Sequence, residues 1–247
     1  GFPKLNFFRK SLWKLVSKKI FKISCPSVDL LSQLSEDKVF CDSKLIFLPD
    51  PIIQVKLFAK KLNLIEKDEC FKNNYFVSVG RLTKQKNFGY LIDEFKKFSN
   101  QNLDYKLLIF GAGEEKKFLE KKIIENDLQK IIFLMGYSNN IYKYMKGAKA
   151  LILSSLWEDP GFVIIEAAMC NLFVISSDCK NGPREFLKKG KAGLLYETNK
   201  KDALKESLDN FLSLDSKINQ KKILAKKNCS KYTVFNHYSI LQKILID

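Results

Sequence analysis

At 247 residues and 46% hydrophobic content the chain can bury a real core, in one large domain or two smaller ones. A net charge of +16, from 43 basic and 27 acidic residues, points to an anionic partner: nucleic acid, a membrane surface or a phosphorylated ligand. Part of it is a background Lys bias, since only Arg9, Arg81 and Arg184 are arginine.

Six scattered cysteines (Cys25, Cys41, Cys70, Cys170, Cys179 and Cys229), without Cys-x-x-Cys and with one distant His237, exclude a zinc framework and a secreted disulfide scaffold. A reducing cytoplasm is the simplest setting. No run reaches the ~18 apolar residues that a membrane-spanning helix needs.

The first 22 residues carry seven cations and no acid. Lys10, Lys14, Lys18 and Lys22 recur every four residues, with Phe8, Leu12, Leu15 and Ile20 on another face. Two readings stand side by side: a basic amphipathic helix lying on an anionic membrane, and a domain helix with a solvated Lys face. The start lacks an initiator Met and a long apolar signal core, so it is expected to be the cut edge of a longer protein. Next, "SKKIFKISCPSVDLLSQLSE" predicts a strand and a helix, and "SKLIFLPDPII" a strand running into a linker stiffened by Pro49 and Pro51. That is too little for a complete domain.

From Asn74 onward the pattern changes. "NYFVSVG", "YKLLIFGAG", "KIIFLMG", "AKALILSS" and "NLFVISSD" are short, continuously apolar runs, as in a parallel sheet covered on both faces. Helical periodicity separates them at Tyr90 to Phe98, Glu114 to Asn126, Ile141 to Lys146 and Val163 to Cys170. The alternation predicts an α/β fold with a Rossmann-like, doubly wound parallel sheet. In such sheets ligands bind beyond the carboxyl ends of the strands, where Gly80, Gly111, Gly113, Gly136, Ser154 and Ser155 fall. After Ala203 the chain reads as helical to its end.

Three places carry candidate chemistry. Arg81 and Lys86 follow the first long strand, where two cations suit a diphosphate; equally, Arg81 pairs with a carboxylate and Lys86 is solvated. "GAGEE" has Gly-x-Gly but lacks the third glycine of a dinucleotide fingerprint, so a tight turn explains it as well. "SSLWEDPGFVIIEAAMCN" sets Glu158 and Asp159 before a Pro160-Gly161 turn and Glu166 inside an apolar helix. A helix beginning near Gly161 turns its free N–H groups toward the ligand edge, and a carboxylate there can accept both hydroxyls of a sugar. Alternatively Glu158 or Asp159 caps that helix and Glu166 meets a Lys across a helix.

Glu158 and Glu166, with seven residues between them after a strand ending "SS", resemble the signature of retaining GT-B glycosyltransferases of family 4. "VGRLTKQKN", "LIFGAGEE", "FLMGYSNNIYKYMKGAKALILSS" and "EAAMCNLFVISSDCKNGPREFLKKGKAGLLY" resemble the same family over roughly Val77 to Leu208. The resemblance implies a carboxyl-terminal portion. Residues 1–50 would be a remnant of a truncated amino-terminal acceptor domain with its linker, residues 51–225 the GT-B donor-binding domain, and residues 226–247 a terminal helix packing back. It further implies that Arg81 and Lys86, after Gly80, neutralise the donor diphosphate. Glu158 would face the transferred sugar, Glu166 would grip the ribose, and the amides of Gly161, Phe162 and Val163 would hold phosphate or sugar oxygens. Met135, Gly136 and Tyr137 would lie against the base.

The implied substrates are a nucleotide sugar, UDP-sugars favoured, and a glycan or lipid-linked acceptor. Transfer would proceed without a metal, in the cytoplasm or peripherally at its membrane face. Two departures stand out. The turn after Glu158 is Asp159-Pro160-Gly161, and the family's amino-terminal domain is almost wholly missing, so His237 cannot take the role of its acceptor-side His. The isolated chain is therefore expected to bind donor and transfer poorly or not at all. A non-catalytic sugar-nucleotide-binding domain is the nearest alternative. A nucleic-acid module fits poorly, because Arg is scarce and the aromatics lie in apolar runs.

Overall fold

The computed structural model describes residues 6–63, 74–158 and 160–246; Cys70 and Asp159 lie outside the described residues. Six parallel strands form the main sheet: β3 (Tyr75–Val79), β4 (Lys106–Phe110), β5 (Ile132–Gly136), β6 (Ala150–Leu153), β7 (Phe173–Ser177) and β8 (Leu194–Tyr196), in the order β5-β4-β3-β6-β7-β8. The chain winds outward from β3 to β5, returns to lay β6 beside β3, and winds outward again. The strand order therefore reverses between β3 and β6, opening a crevice at their carboxyl ends.

Because side chains alternate across a strand, the apolar runs feed two cores. Val77, Leu108, Leu151 and Val174 pack on one face with α7 (Phe162–Met169), with Met145 of α6 (Ile141–Gly147) and with Ala225 of α10 (Lys217–Asn228). Phe76, Leu107, Ile109, Ile152 and Ile175 pack on the other with α4 (Phe88–Ser99), α5 (Lys116–Glu125) and α9 (Ala203–Leu212). Burial of both faces is why these strands carry so few polar residues.

A second, two-stranded parallel sheet joins β1 (Ile23–Cys25) to β2 (Leu45–Phe47). With α2 (Val28–Glu36) it buries a small core of Cys25, Leu34, Val39 and Phe40. The helix α1 (Phe7–Ser17) touches it through Trp13 against Phe40, with ring centroids 5.9 Å apart, and through Lys10 to Asp37 at 2.7 Å. Phe7, Phe8, Leu12 and Leu15 of this helix stay exposed.

Two contacts fasten this unit to the main sheet. The Val28 amide donates to Glu185 Oε2 (3.0 Å) and the Asn181 amide to Asp29 Oδ2 (2.9 Å). At the other end, α11 (Val234–Ile246) lies against the proline linker, where the ring nitrogen Nδ1 of His237 is 2.8 Å from the Pro49 carbonyl. No helix among the described residues is long and apolar enough to cross a membrane.

Three elements escape the sequence pattern: α3 (Val55–Asn63), which follows the proline linker, the short α8 (Pro183–Phe186), and β8. α3 bears on the site below.

Candidate nucleotide-sugar site

The strands end in backbone turns that only small residues permit. The Gly80 amide donates to the Phe110 carbonyl (3.0 Å) and the Gly111 amide to the Gly136 carbonyl (2.8 Å). Gly111 has φ +144°, and a Cβ there would sit 1.8 Å from the Gly80 carbonyl oxygen. This close approach lets the loops after β3, β4 and β5 share one rim.

The loop after β3 then folds back across the switch point. A single 3₁₀ turn, Lys84–Lys86, ends on Asn87 in the left-handed region (φ +55°). Three bonds join it to the loop after β6. Ser154 Oγ donates to the Lys86 carbonyl (2.7 Å), the Leu156 amide to the Gln85 carbonyl (2.8 Å), and Gln85 Nε2 to the Trp157 carbonyl (2.9 Å). The result is an ion pair between Lys86 Nζ and Glu158 Oε1 at 2.6 Å, with side chains only 14% and 4% exposed. The Ser155 hydroxyl donates to the same carboxylate oxygen. The Glu158 amide is fixed in turn by the Lys180 carbonyl (3.2 Å).

Past this point the chain turns sharply at Gly161 (φ +82°), which caps α7 without any side-chain cap bond. The first amides of α7 thus keep the free N–H groups and positive dipole end of a helix start. Glu158 does not cap this helix, and Asp159 is outside the described residues. Among the described residues Glu166 makes no ion pair with a Lys; Tyr142 of α6 donates its hydroxyl to Glu166 Oε1 at 3.1 Å. Burial raises the Glu166 carboxyl above its ordinary value, opposed by that hydrogen bond and by the charge of Lys61 on α3.

These groups face one cleft. A cavity of 570 Å³ is lined by Val79, Gly80, Arg81, Gln85, Lys86, Trp157, Glu158, Gly161, Phe162, Val163 and Glu166. Arg81 is exposed and makes no ion pair among the described residues. It also borders an adjoining cavity of 420 Å³ lined by Phe110, Gly111, Ala112, Tyr137, Ser138 and Ile141. Tyr137 is 79% exposed there, an open aromatic face.

The other two residues expected near a base lie differently. Met135 packs against the core, and Gly136 gives its carbonyl to Gly111. Lys86 is not solvated, because Glu158 and the Ser154 bond hold it in place. The sequence reading did not single out Tyr142, Lys61, Gln85 or Trp157. Trp157 carried a signal, a large aromatic directly before the candidate Glu158; Tyr142 carried none, since it reads as one more apolar position of a helix.

Chemically the cleft offers an exposed cation, a cation already neutralised by a carboxylate, a helix start, and a second carboxylate just over one turn further on. That set suits an anion attached to a polyhydroxylated group.

The family model for glycosyl transferases group 1 matches residues 54–228. The Escherichia coli UDP-Gal:alpha-D-GlcNAc-diphosphoundecaprenol alpha-1,3-galactosyltransferase is 31% identical over 262 residues, covering 99% of this chain and 65% of that protein. The Campylobacter jejuni N-acetylgalactosamine-N,N'-diacetylbacillosaminyl-diphospho-undecaprenol 4-alpha-N-acetylgalactosaminyltransferase is 29% identical over 221 residues, covering 86% of this chain and 59% of that protein. The chain spans less than two thirds of the length of either relative. Among solved structures, Anabaena HepE in complex with UDP superposes with a TM-score of 0.82 at 16% identity, over 97% of this chain and 68% of that one. A glycosyltransferase from Rickettsia africae gives 0.81 at 17% identity, over 99% and 69%. Likeness at that identity shows the GT-B fold.

Proposed function

Because the chain belongs to the glycosyl transferases group 1 family, we propose that its cleft binds the donor of a retaining, family 4 type transfer, a nucleotide sugar. One observation carries the reading: Arg81, Lys86, Glu158, Glu166 and the start of α7 line a single cavity at the β3–β6 switch point. Arg81 and the free amides of α7 take the donor diphosphate, with Lys86 as the second cation. Glu158, locked by Lys86 and Ser155, faces the sugar being transferred. Glu166 accepts the ribose hydroxyls, and Tyr137 offers its ring to the base.

In this reading the departing nucleoside diphosphate is stabilised by Arg81 and the amides at the start of α7, with a smaller share from Lys86, whose charge Glu158 partly offsets, so the reaction needs no metal. UDP is the favoured nucleotide, a choice supported by the name of the E. coli relative. The names of both relatives contain a diphospho-undecaprenol, which favours a lipid-linked acceptor here. What is proposed of this chain, which spans 65% and 59% of the two relatives, is donor binding. The proposed setting is the cytoplasmic membrane face, and the exposed Phe7, Phe8, Leu12 and Leu15 beside Arg9, Lys10 and Lys14 support the membrane contact. Co-sedimentation with vesicles containing anionic lipid, lost on removing residues 1–22, tests that contact; unchanged sedimentation contradicts it.

Saturation-transfer NMR with UDP-, GDP- and ADP-sugars, with and without a chelator, tests the donor reading. The expected result is signal transfer to a UDP-sugar, unaffected by chelator. Preference for another base overturns the choice of nucleotide, and loss of signal with chelator overturns the metal-free step.

A further inference from the structure

Glu166 lies between two cavities. On one side is the 570 Å³ cleft; on the other is a 90 Å³ pocket walled by α3, α6 and the end of α7, whose lining includes Phe58, Lys61, Tyr142, Met169 and Glu166 itself. Tyr142 borders the small pocket and not the cleft, so its hydroxyl reaches Glu166 Oε1 from behind, at 3.1 Å. Among the described residues Oε2 receives no hydrogen bond.

The tyrosine is itself clamped. Phe58 meets its ring edge-on, with centroids 5.0 Å apart and planes at 68°, and the Lys61 ammonium lies 5.5 Å from its ring centroid. The Lys61 backbone is tied to the start of α6, because Asn140 Nδ2, at the helix cap, donates to its carbonyl at 3.0 Å. A ring held on two sides has little rotamer freedom to lose when its hydroxyl engages a carboxylate.

We propose that Tyr142 is a positioning residue for Glu166: it holds Oε1 from the side away from the cleft, so that Oε2 is presented to a vicinal diol, the ribose of a bound nucleotide. This rests on the donor reading above. It also gives α3 a function, because Phe58 and Lys61 brace the tyrosine from that helix.

The groups that bear on the Glu166 charge are Lys61 from α3, Tyr142 from α6 and Cys170 at the end of α7, of which Lys61 and Tyr142 favour the carboxylate. Removing the Tyr142 hydroxyl leaves that carboxylate with one fewer stabilising group.

The test is calorimetric binding of UDP and of 2′-deoxy-UDP to the wild type, Tyr142→Phe and Glu166→Gln across a range of pH. Thermal melts check that the phenylalanine variant, which keeps the ring against Phe58, is folded. Wild type is expected to prefer UDP over the deoxy nucleotide. In Tyr142→Phe that preference falls by about tenfold, with deoxy-UDP affinity nearly unchanged, and what remains disappears at a higher pH than in wild type. A purely structural tyrosine would weaken both nucleotides alike and leave the pH profile in place. Full retention of the preference in a folded Tyr142→Phe overturns the proposal while leaving the donor reading intact. Absence of any preference in wild type overturns the donor reading at Glu166, and the proposal with it.

Discussion

Lys86 and Glu158 stand 72 positions apart and meet at 2.6 Å, one from the loop after β3 and the other from the loop after β6. The pair spans the point where the strand order reverses, so it both closes the fold there and sets charge in the cleft. Burial makes the two residues interdependent. A carboxylate 4% exposed is tolerable only because an ammonium and the Ser155 hydroxyl share its charge.

Lys86→Ala is therefore expected to destabilise the chain by about 3 kcal/mol, because it leaves Glu158 charged and unpaired. Glu158→Gln should cost less, since an amide oxygen still accepts from Ser155 and the freed Lys86 can turn into the cleft. Urea unfolding of both variants measures the order; two small losses would mean that the pair contributes little.

At Gly111 the expected effect is steric. Alanine there would place a Cβ 1.8 Å from the Gly80 carbonyl at a φ of +144°, so β3 and β4 must separate at the rim. Gly111→Ala should lose about 3 kcal/mol and bind nucleotide weakly, through displacement of Gly80 and Arg81. A melt and a titration on the same sample check both.

The raised Glu166 carboxyl gives a pH signature. Its folded-state pKa lies above the ordinary 4.5 because of burial, so the protonated form is favoured in the native chain. That stabilisation is present in full below 4.5 and is lost as pH rises through the raised value. Stability relative to Glu166→Gln should fall across that window. Nucleotide affinity should rise across it, because the carboxylate is the better acceptor. Paired unfolding curves and titrations at several pH values test the opposed trends.

Asp29 offers a test of how far the site depends on the small sheet. It accepts from the Asn181 amide, one residue from the Lys180 carbonyl that fixes the Glu158 amide. Asp29→Ala is expected to cost about 1.5 kcal/mol and to speed hydrogen exchange at the Asn181 and Glu158 amides. Exchange unchanged at Glu158 would separate the two loops mechanically.

The doubly wound sheet was legible because double burial leaves an unbroken apolar run, as in "YKLLIFG", and because each run stops at Gly or Ser. β8 was not, since Leu194–Tyr196 is three residues long and follows a Lys-rich stretch. α3 was hidden by the prolines before it, which signal a linker until the amphipathic stretch behind them is weighed. At the site, Arg81, Lys86, Glu158 and Glu166 were legible as charges out of keeping with their surroundings. Their pairing was not. Nothing in one dimension says that Lys86 chooses Glu158, or that Tyr142, 24 positions from Glu166, supplies its donor. Nor does one dimension separate Met135, half-buried against the core, from Tyr137, which opens on the cavity.

The central claim is that Arg81 and Glu166 serve one nucleotide. Titration calorimetry of UDP, GDP and ADP into wild type, Arg81→Ala and Glu166→Ala addresses it most directly. The account predicts that UDP binds and that each substitution weakens it, by about tenfold or more for the loss of a charge-assisted contact. A folded wild type that binds none of the three, or UDP binding indifferent to both substitutions, would contradict it.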